Sequence, residues 1–136
     1  MRIFLDANVL FFAAKSDGAN HQLLTLIEKS HHECCVDGYV IEEARRNLVA
    51  KTPDRVAALE RLLPRMKTAG AQRGDTALEA SLPLPAKDRP VLAAAIRQSC
   101  TALVTGDRTH FGALYGRTIQ GVTIYSPRSL AQALLV

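Results

Sequence analysis

Four acidic residues lie where the sequence changes from a strand pattern to a helix pattern. They are Asp6, Glu43, Asp88 and Asp107. The carboxyl ends of parallel strands form the ligand crevice of an open α/β sheet, so carboxylates placed there can converge although they are far apart in sequence. Clustered carboxylates raise one another's pKa unless a cation neutralises them, and Mg²⁺ and Mn²⁺ favour all-oxygen sites of this kind. The pattern therefore indicates a metal site and, from there, phosphate chemistry.

Each of these acids also has a purely structural explanation. Asp6 and Asp88 are suited to cap helix N-termini, Asp107 to serve a turn, and Glu43 to offset the helix dipole in a first turn. The joint pattern favours a shared site instead. Asp6 directly ends the first strand, Asp107 ends a later strand, and the adjacent helices begin with an acid.

The rest of the sequence predicts strands that alternate with helices. Strands are expected at residues 3–5, 33–36, 102–105 and 122–125. Helices are expected at residues 9–15, 21–29, 39–51, 88–99, 108–115 and 129–134, with a further periodic segment from Pro53 that Pro64 should bend or end. The stretch 70–85 holds Gly70, Gly74, Pro83 and Pro85 and predicts an irregular connection. This order is typical of a mainly parallel sheet with helices on both faces.

Length and composition predict one soluble globular domain over residues 1–136. Hydrophobic residues make up 48% and charged residues 22%, which argues against disorder. No apolar stretch approaches the roughly 20 residues that span a bilayer, and the first residues predict a strand rather than a signal peptide. Cys34, Cys35 and Cys100 make a poor disulfide framework, so reduced thiols in the cytoplasm are expected. The net charge of +4 is a mild bias towards polyanions.

Four segments, in this order along the chain, resemble the motifs of the PIN-domain nucleases. They are residues 3–10 (IFLDANVL), 40–48 (VIEEARRNL), 87–96 (KDRPVLAAAI) and 103–107 (LVTGD). The similarity continues through residues 109–111 and the closing strand and helix, so it extends over essentially the whole chain. Each motif alone is weak, whereas four in the same order are fairly specific.

The resemblance implies a fold, an activity and a set of functional residues. The fold is a PIN-like three-layer α/β/α structure with a central, mainly parallel sheet. The activity is that of a Mg²⁺- or Mn²⁺-dependent endoribonuclease that hydrolyses RNA phosphodiester bonds. The family's catalytic quartet carries over to Asp6, Glu43, Asp88 and Asp107, with Asn8 and Thr105 as polar helpers on the substrate side.

Within this quartet, Asp6 and Asp107 are the expected direct metal ligands. Asp88 would be a further ligand or, like Glu43, would hold metal-bound water or a second ion. Glu42 could fill the second place instead of Glu43. We favour Glu43 because a small and an apolar residue follow it at the family's spacing.

The chain departs from the family's pattern at two places. Many members have Ser or Thr before the second acidic helix, where this chain has Asp37 and Gly38. Many also carry another acid shortly after the position of Asp107, where Thr109 and His110 stand here. These departures bear on the number of metal ions more than on the class of activity.

Four arginines follow acids of the quartet within one helical turn. They are Arg45, Arg46, Arg89 and Arg108. Their guanidinium groups could bind backbone phosphates in a bidentate manner, and solvated helix surface is an equally good explanation for each. Aromatic residues make up only 5% of the chain and Trp is lacking, so extensive base stacking is not expected.

Other functions fit the sequence less well. A strand followed by Asp also begins haloacid dehalogenase-like phosphatases, but Asn8 replaces their second Asp. A receiver domain needs paired acids after its first strand, and neither a GxGxxG nor a GxxxxGK[ST] loop is present. The remaining alternative is a catalytically silent PIN-like module that binds RNA or protein. Loss of an acid would favour that alternative, and all four places are filled here.

The resemblance also implies partners for the chain. RNA is the expected substrate, and no membrane is expected. Small single-domain members often resemble the toxins of toxin–antitoxin pairs, which implies a cognate antitoxin protein, and a homodimer is a further expectation. A groove near Phe11 and Phe12 could receive an amphipathic helix of an antitoxin, although phenylalanine is more often part of the core.

Overall fold

A six-stranded sheet forms the centre of the computed structural model, which describes residues 1–70 and 76–136. Its strands are β1 (Arg2–Leu5), β2 (Glu33–Asp37), β3 (Lys67–Ala69), β4 (Ala102–Val104), β5 (Thr118–Ile119) and β6 (Val122–Tyr125). They lie in the order β3-β2-β1-β4-β6-β5, and all pairs are parallel except β5 with β6. The strand order reverses at β1, with β2 and β3 on one side and β4 and β6 on the other. A ligand crevice is expected at such a reversal, outside the carboxyl ends of the strands.

The inner strands β1, β2 and β4 are buried over most of their length. In β1, Ile3, Phe4 and Leu5 are fully buried, and Ile3 pairs with Cys34 of β2 and with Ala102 of β4. Parallel strands that are covered on both faces are apolar at successive positions rather than at alternate ones. This pattern explains why the short apolar runs in the sequence identify the inner strands.

Helices cover the sheet in two groups. They are α1 (Ala7–Lys15), α2 (Ala19–Lys29), α3 (Gly38–Lys51), α4 (Val56–Leu62), α5 (Thr76–Ala80), α6 (Arg89–Arg97), α7 (Arg108–Phe111) and α8 (Pro127–Leu134). Helix α1 packs on α2, α3 and α4, and α2 also packs on α8, whereas α5 packs on α6 and α6 contacts β4. The predicted α/β/α class is therefore confirmed. Among the residues that the structure describes, no helix is long and apolar enough to cross a membrane.

Polar caps fix where several helices begin, among them α7. Asp6 caps α1 directly after β1, and Asp37 caps α3 directly after β2 by accepting the Val40 N–H at 3.0 Å. Helix α8 begins with a capping box between Ser126 and Ser129. Such caps satisfy amides that the first helical turn leaves without partners. They bring the first residues of α1 and α3 close to the carboxyl edge of the sheet.

Three elements were not expected from the sequence pattern. Strand β3 is a three-residue edge strand whose residues are exposed or half-buried, so it lacks an apolar signature. Strand β5 has two residues and pairs with β6 through a turn at Gln120 and Gly121, which have φ of 47° and 85°. Helix α5 lies within the stretch expected to be irregular, and Gly74 of that stretch lies outside the described residues. Pro64 acts as expected, because α4 ends at Leu62 and a 3₁₀ turn follows at Leu63–Arg65.

Candidate functional site

An open cleft lies at the edge of the sheet where the strand order reverses, and we call it the acidic cleft. Its volume is about 280 Å³. The structure brings all four acids predicted from the sequence into its lining. They are Asp6 at the end of β1, Glu43 on α3, Asp88 before α6 and Asp107 before α7. Four separate segments of the chain therefore converge on one surface.

Asp6 is the buried member of this group, with 7% of its surface exposed. Its Oδ1 accepts the Ala7 N–H at 2.8 Å, and its Oδ2 accepts the Thr105 hydroxyl at 2.7 Å. The Asn8 side-chain amide lies 3.3 Å from the same Oδ2 and donates to it. Three donors thus hold the carboxylate in one orientation, facing the cleft.

Burial raises the pKa of the Asp6 carboxyl from its ordinary value of 3.8 to about 6. The hydrogen bonds from Thr105 and Ala7 oppose this rise, because they stabilise the ionised form. The negative charges of Glu43 and Asp107 add to the rise. A cation among these side chains would relieve the repulsion and favour the carboxylate.

Asn8 and Thr105 fix the loop between β4 and α7 as well as Asp6. The Thr105 Oγ1 accepts the Asp107 N–H at 3.1 Å, and the Asn8 Oδ1 accepts the Gly106 N–H at 2.9 Å. From the other side, the Tyr115 hydroxyl donates to the Thr105 carbonyl at 2.8 Å. Both residues predicted as polar helpers therefore connect the end of β1 to the loop that carries Asp107.

A second cluster joins Asp88, Asp107 and His110, whose ligand atoms all lie within 4.8 Å of one another. The His110 Nδ1 is 2.9 Å from the Asp107 Oδ2 and 3.1 Å from the Asp88 Oδ2. One ring nitrogen carries at most one proton, and the hydrogen bond goes to Asp107. The Asp88 Oδ2 is consequently buried without a hydrogen-bond partner among the described residues.

Glu43 and its neighbour Glu42 are separated by the structure. Glu43 is half-buried and lines the acidic cleft, whereas Glu42 is exposed and is not part of its lining. Glu43 does not lie in the first turn of α3, because that helix begins at Gly38 behind the cap Asp37. Dipole compensation at a first turn therefore does not explain its position.

The positive charges in the cleft are lysines rather than the arginines considered from the sequence. Lys51 and Lys87 line the acidic cleft. Lys51 lies two helical turns after Glu43 on α3, and Lys87 directly precedes Asp88, so their spacing to the acids was a signal that could have identified both. His110 similarly lies three residues after Asp107, on the same turn of α7.

The four predicted arginines lie outside the acidic cleft. Arg45 forms an ion pair with Glu60 at 2.8 Å, and Arg89 donates from Nε to the Leu84 carbonyl at 2.7 Å. Arg46 and Arg108 are exposed. The structure therefore does not bring these side chains together with the acids.

Comparison with known proteins places the chain in a family. The family model of the PIN domain matches residues 2–109 of the chain. No match is found among curated proteins. The matched stretch extends from β1 to the start of α7 and so contains all four acids of the cleft.

Two solved structures are similar in fold. A chain of the VapBC2 structure from Rickettsia felis, bound to a DNA fragment from their promoter, gives a TM-score of 0.69 at 17% identity and covers 93% of this chain and 98% of that chain. A chain of the FitAB structure, bound to an IR36 DNA fragment, gives a TM-score of 0.61 at 18% identity and covers 92% of this chain and 94% of that chain. These similarities show the architecture, and the family model spans most of the sequence. The chain therefore belongs to the PIN domain family.

Proposed function

We propose that the chain is an endoribonuclease that hydrolyses RNA phosphodiester bonds with Mg²⁺ or Mn²⁺ as its cofactor. The observation that carries this proposal is the convergence of Asp6, Glu43, Asp88 and Asp107 in one open cleft. Helix capping alone does not account for it, because the side chain of Asp88 makes no capping hydrogen bond and Glu43 lies beyond the first turn of α3. Membership of the PIN domain family supports a nuclease.

The donors in the cleft fit a hard divalent cation. Asp6, Asp88 and Asp107 would hold it, because carboxylate oxygens are the ligands that Mg²⁺ and Mn²⁺ prefer. Within the described part of the chain, the Asp88 Oδ2 is a buried acceptor without a hydrogen-bond partner, and a cation would satisfy it. When bound, such an ion neutralises phosphate oxygens and lowers the pKa of a coordinated water.

Separate side chains would serve separate tasks around the phosphate. Thr105 and Asn8 keep the Asp6 carboxylate in place, and Glu43 would accept a proton from the attacking water. Lys51 and Lys87 would donate to phosphate oxygens and offset the repulsion between an RNA backbone and a cleft of carboxylates.

The arginines have a more distant role in this proposal. Arg46 and Arg108 are exposed and could contact the RNA backbone beyond the cleft. Arg45 and Arg89 would need to exchange their present partners, Glu60 and the Leu84 carbonyl, for phosphate. We therefore expect a larger loss of RNA affinity from Lys51→Ala and Lys87→Ala than from the four arginine variants.

We extend the proposal to protein partners. The resemblance to toxins of toxin–antitoxin pairs implies an inhibitory antitoxin, and the structures of similar fold carry the names VapBC2 and FitAB. We propose that a cognate antitoxin covers the acidic cleft and that the chain forms a homodimer. Co-expression with the product of the adjacent reading frame should relieve growth inhibition and yield a complex that purifies together, which tests the antitoxin. Light scattering of the free protein gives its mass in solution, which tests the homodimer.

A circular RNA tests the proposed activity, because it has no ends and only an endonuclease can linearise it. We expect the purified protein to linearise it in Mg²⁺ or Mn²⁺, and excess chelator to stop the reaction. Binding of the circle without linearisation, across several RNA sequences and both ions, would favour the catalytically silent module.

A further inference from the structure

Phe12 is an aromatic side chain that stays exposed in the lining of the acidic cleft. Its surface is 48% exposed, whereas the preceding Phe11 is 5% exposed. A single exposed apolar residue is ordinary on a protein surface. Phe12 differs from the exposed Val49 of α3, because Val49 is not part of the cleft lining. The position of this ring beside the acids therefore indicates a role in the site.

The Phe12 ring is held in a defined orientation. Phe12 follows Asn8 by four residues on α1, so both project from one face of the helix, about 6 Å apart along its axis. Phe11 packs against Phe12 with 5.0 Å between ring centroids and 79° between ring planes. A ring that is already ordered loses little conformational entropy when a molecule binds to it.

Two lysines place positive charge beside these rings. The Lys15 Nζ lies over the Phe12 ring, 5.6 Å from its centroid, and the Lys51 Nζ lies over the Phe11 ring, 5.5 Å from its centroid. An aromatic face flanked by cations is complementary to a nucleotide, whose base stacks on the ring and whose phosphates pair with ammonium groups. An apolar face of a protein partner would pack on the Phe12 ring without any use for the ammonium groups of Lys15 and Lys51. The surroundings of Phe12 thus favour RNA as its occupant.

We propose that Phe12 stacks on a base of the RNA strand adjacent to the phosphate in the acidic cleft, and that Lys15 and Lys51 bind phosphates flanking that base. This inference rests on the proposed ribonuclease function and deepens it. A base inside a duplex is stacked on its neighbours and offers no free face, so the strand must present an unpaired base beside the cut phosphate. Phe12 is then a positioning residue that determines substrate preference.

Two substitutions at Phe12 separate stacking from simple apolar contact. Phe12→Tyr keeps an aromatic face, and Phe12→Leu keeps an apolar side chain without one. With a short single-stranded RNA in Mn²⁺, we expect Phe12→Leu to raise KM roughly tenfold with kcat unchanged, since stacking stabilises the bound base. Phe12→Tyr and the control Val49→Ala should keep the KM of the wild type. An equal KM for Phe12→Leu and wild type, or equal rates on single-stranded and duplex RNA, would overturn the inference.

The lysines provide a second, independent pair of variants. Lys15 ends α1 beside the Phe12 ring, and Lys29 is likewise an exposed lysine in the last turn of α2. Lys15→Ala should raise KM and flatten its dependence on salt, whereas Lys29→Ala should leave both unchanged. Identical behaviour of the two variants would contradict a phosphate contact at Lys15.

A photochemical readout distinguishes failure of this inference from failure of the proposed function. An RNA containing 5-iodouridine should cross-link to the peptide that carries Phe12, because the photoreaction favours a stacked aromatic ring. This measurement requires binding but no cleavage. Cleavage with cross-links only at other peptides would contradict base stacking on Phe12 and would still support the nuclease activity. A Phe12 cross-link without any RNA cleavage would contradict the nuclease activity.

Discussion

Glu42 and Glu43 are adjacent in sequence, but only Glu43 lines the acidic cleft, whereas Glu42 is exposed outside it. We expect Glu43→Gln to lower kcat by a factor of about 10² or more, because the substitution removes a proton acceptor of the proposed site. Glu42→Gln makes the same chemical change one residue away and should leave the rate unchanged. Initial rates of RNA cleavage check this, and equal losses in both variants would contradict the assignment of Glu43.

Asp6 gives the metal-free protein a predictable pH dependence. Its pKa is about 6 in the folded chain against an ordinary 3.8, so folding takes up a proton between these values. Stability therefore falls as the pH rises through that window. A neutral side chain at position 6 does not ionise and therefore avoids this loss of stability. Relative to wild type, we expect Asp6→Asn to gain nothing below about pH 4 and up to roughly 3 kcal/mol of unfolding free energy by about pH 7.

Urea unfolding in chelator at a series of pH values measures the Asp6→Asn effect. Asp54→Asn is a suitable control, because Asp54 is exposed in the 3₁₀ turn before α4. A stability difference between Asp6→Asn and wild type that does not change between about pH 4 and about pH 7 would show that Asp6 is not protonated by burial.

The residues of the cleft differ in how far the sequence could predict them. Asp6 and Asp107 follow strand ends and Asp88 precedes a helix, so topology predicts that these three acids converge, whereas Glu43 lies beyond the first turn of α3. The roles assigned to the four acids remain predictions. Lys51, Lys87 and His110 have only their spacing to these acids as a sequence signal, and whether they line the cleft or contact an acid depends on tertiary packing. The partners of Arg45 and Arg89 are likewise set by tertiary contacts, with α4 and with the segment before α6.

At the scale of elements, the end of β4 depends on one hydroxyl group. The Thr105 Oγ1 donates to Asp6 and accepts the N–H of Asp107, and so connects β1 to the loop before α7. Thr105→Val keeps the shape of the side chain and removes these two hydrogen bonds, together with the longer one that the Asn8 amide donates to the Thr105 Oγ1 at 3.4 Å. We expect it to cost about 1–3 kcal/mol of stability and to reduce RNA cleavage, because the buried Asp6 carboxylate and the half-buried Asp107 N–H lose this partner.

Thr105→Ser supplies the matched control, since it keeps the hydroxyl and loses only a methyl group. Thermal melts and cleavage rates of the two variants should differ, with Thr105→Ser close to wild type. If Thr105→Ser loses as much activity as Thr105→Val, packing of the methyl group rather than the hydroxyl determines the geometry of this loop.

The sequence predicted the inner elements better than the edge elements. Strands β1, β2, β4 and β6 are apolar runs whose burial makes them visible, and α3 and α6 carry periodic apolar faces. Strand β3 lies at one edge with largely exposed residues, and β5 exists through its pairing with β6 rather than through its own two residues. Helix α5 packs on α6, and a tertiary contact of this kind leaves little periodicity in five residues.

At the scale of the whole molecule, metal binding should stabilise the fold. The proposed ligands come from distant segments and are together only in the folded chain, so a bound ion favours that state by mass action. A hundredfold excess of Mn²⁺ over its Kd should add about 2.7 kcal/mol, which is a rise in Tm of several degrees for a domain of this size. Calorimetric scans with and without chelator measure it. A Tm that is indifferent to Mn²⁺ would argue for a metal-free binding module.

The central claim, that the acidic cleft holds a divalent ion which acts on RNA, is tested most directly by the cleavage rate of one labelled RNA as a function of Mn²⁺ concentration. Wild type and Asp107→Asn are compared, and circular dichroism establishes that both are folded. We predict a rate for wild type that saturates with Mn²⁺, vanishes in chelator and returns when Mn²⁺ is restored. We predict a rate for Asp107→Asn that is lower by about 10² or more at every concentration. Equal rates for the two proteins, or a wild-type rate that does not depend on the metal, would contradict the account.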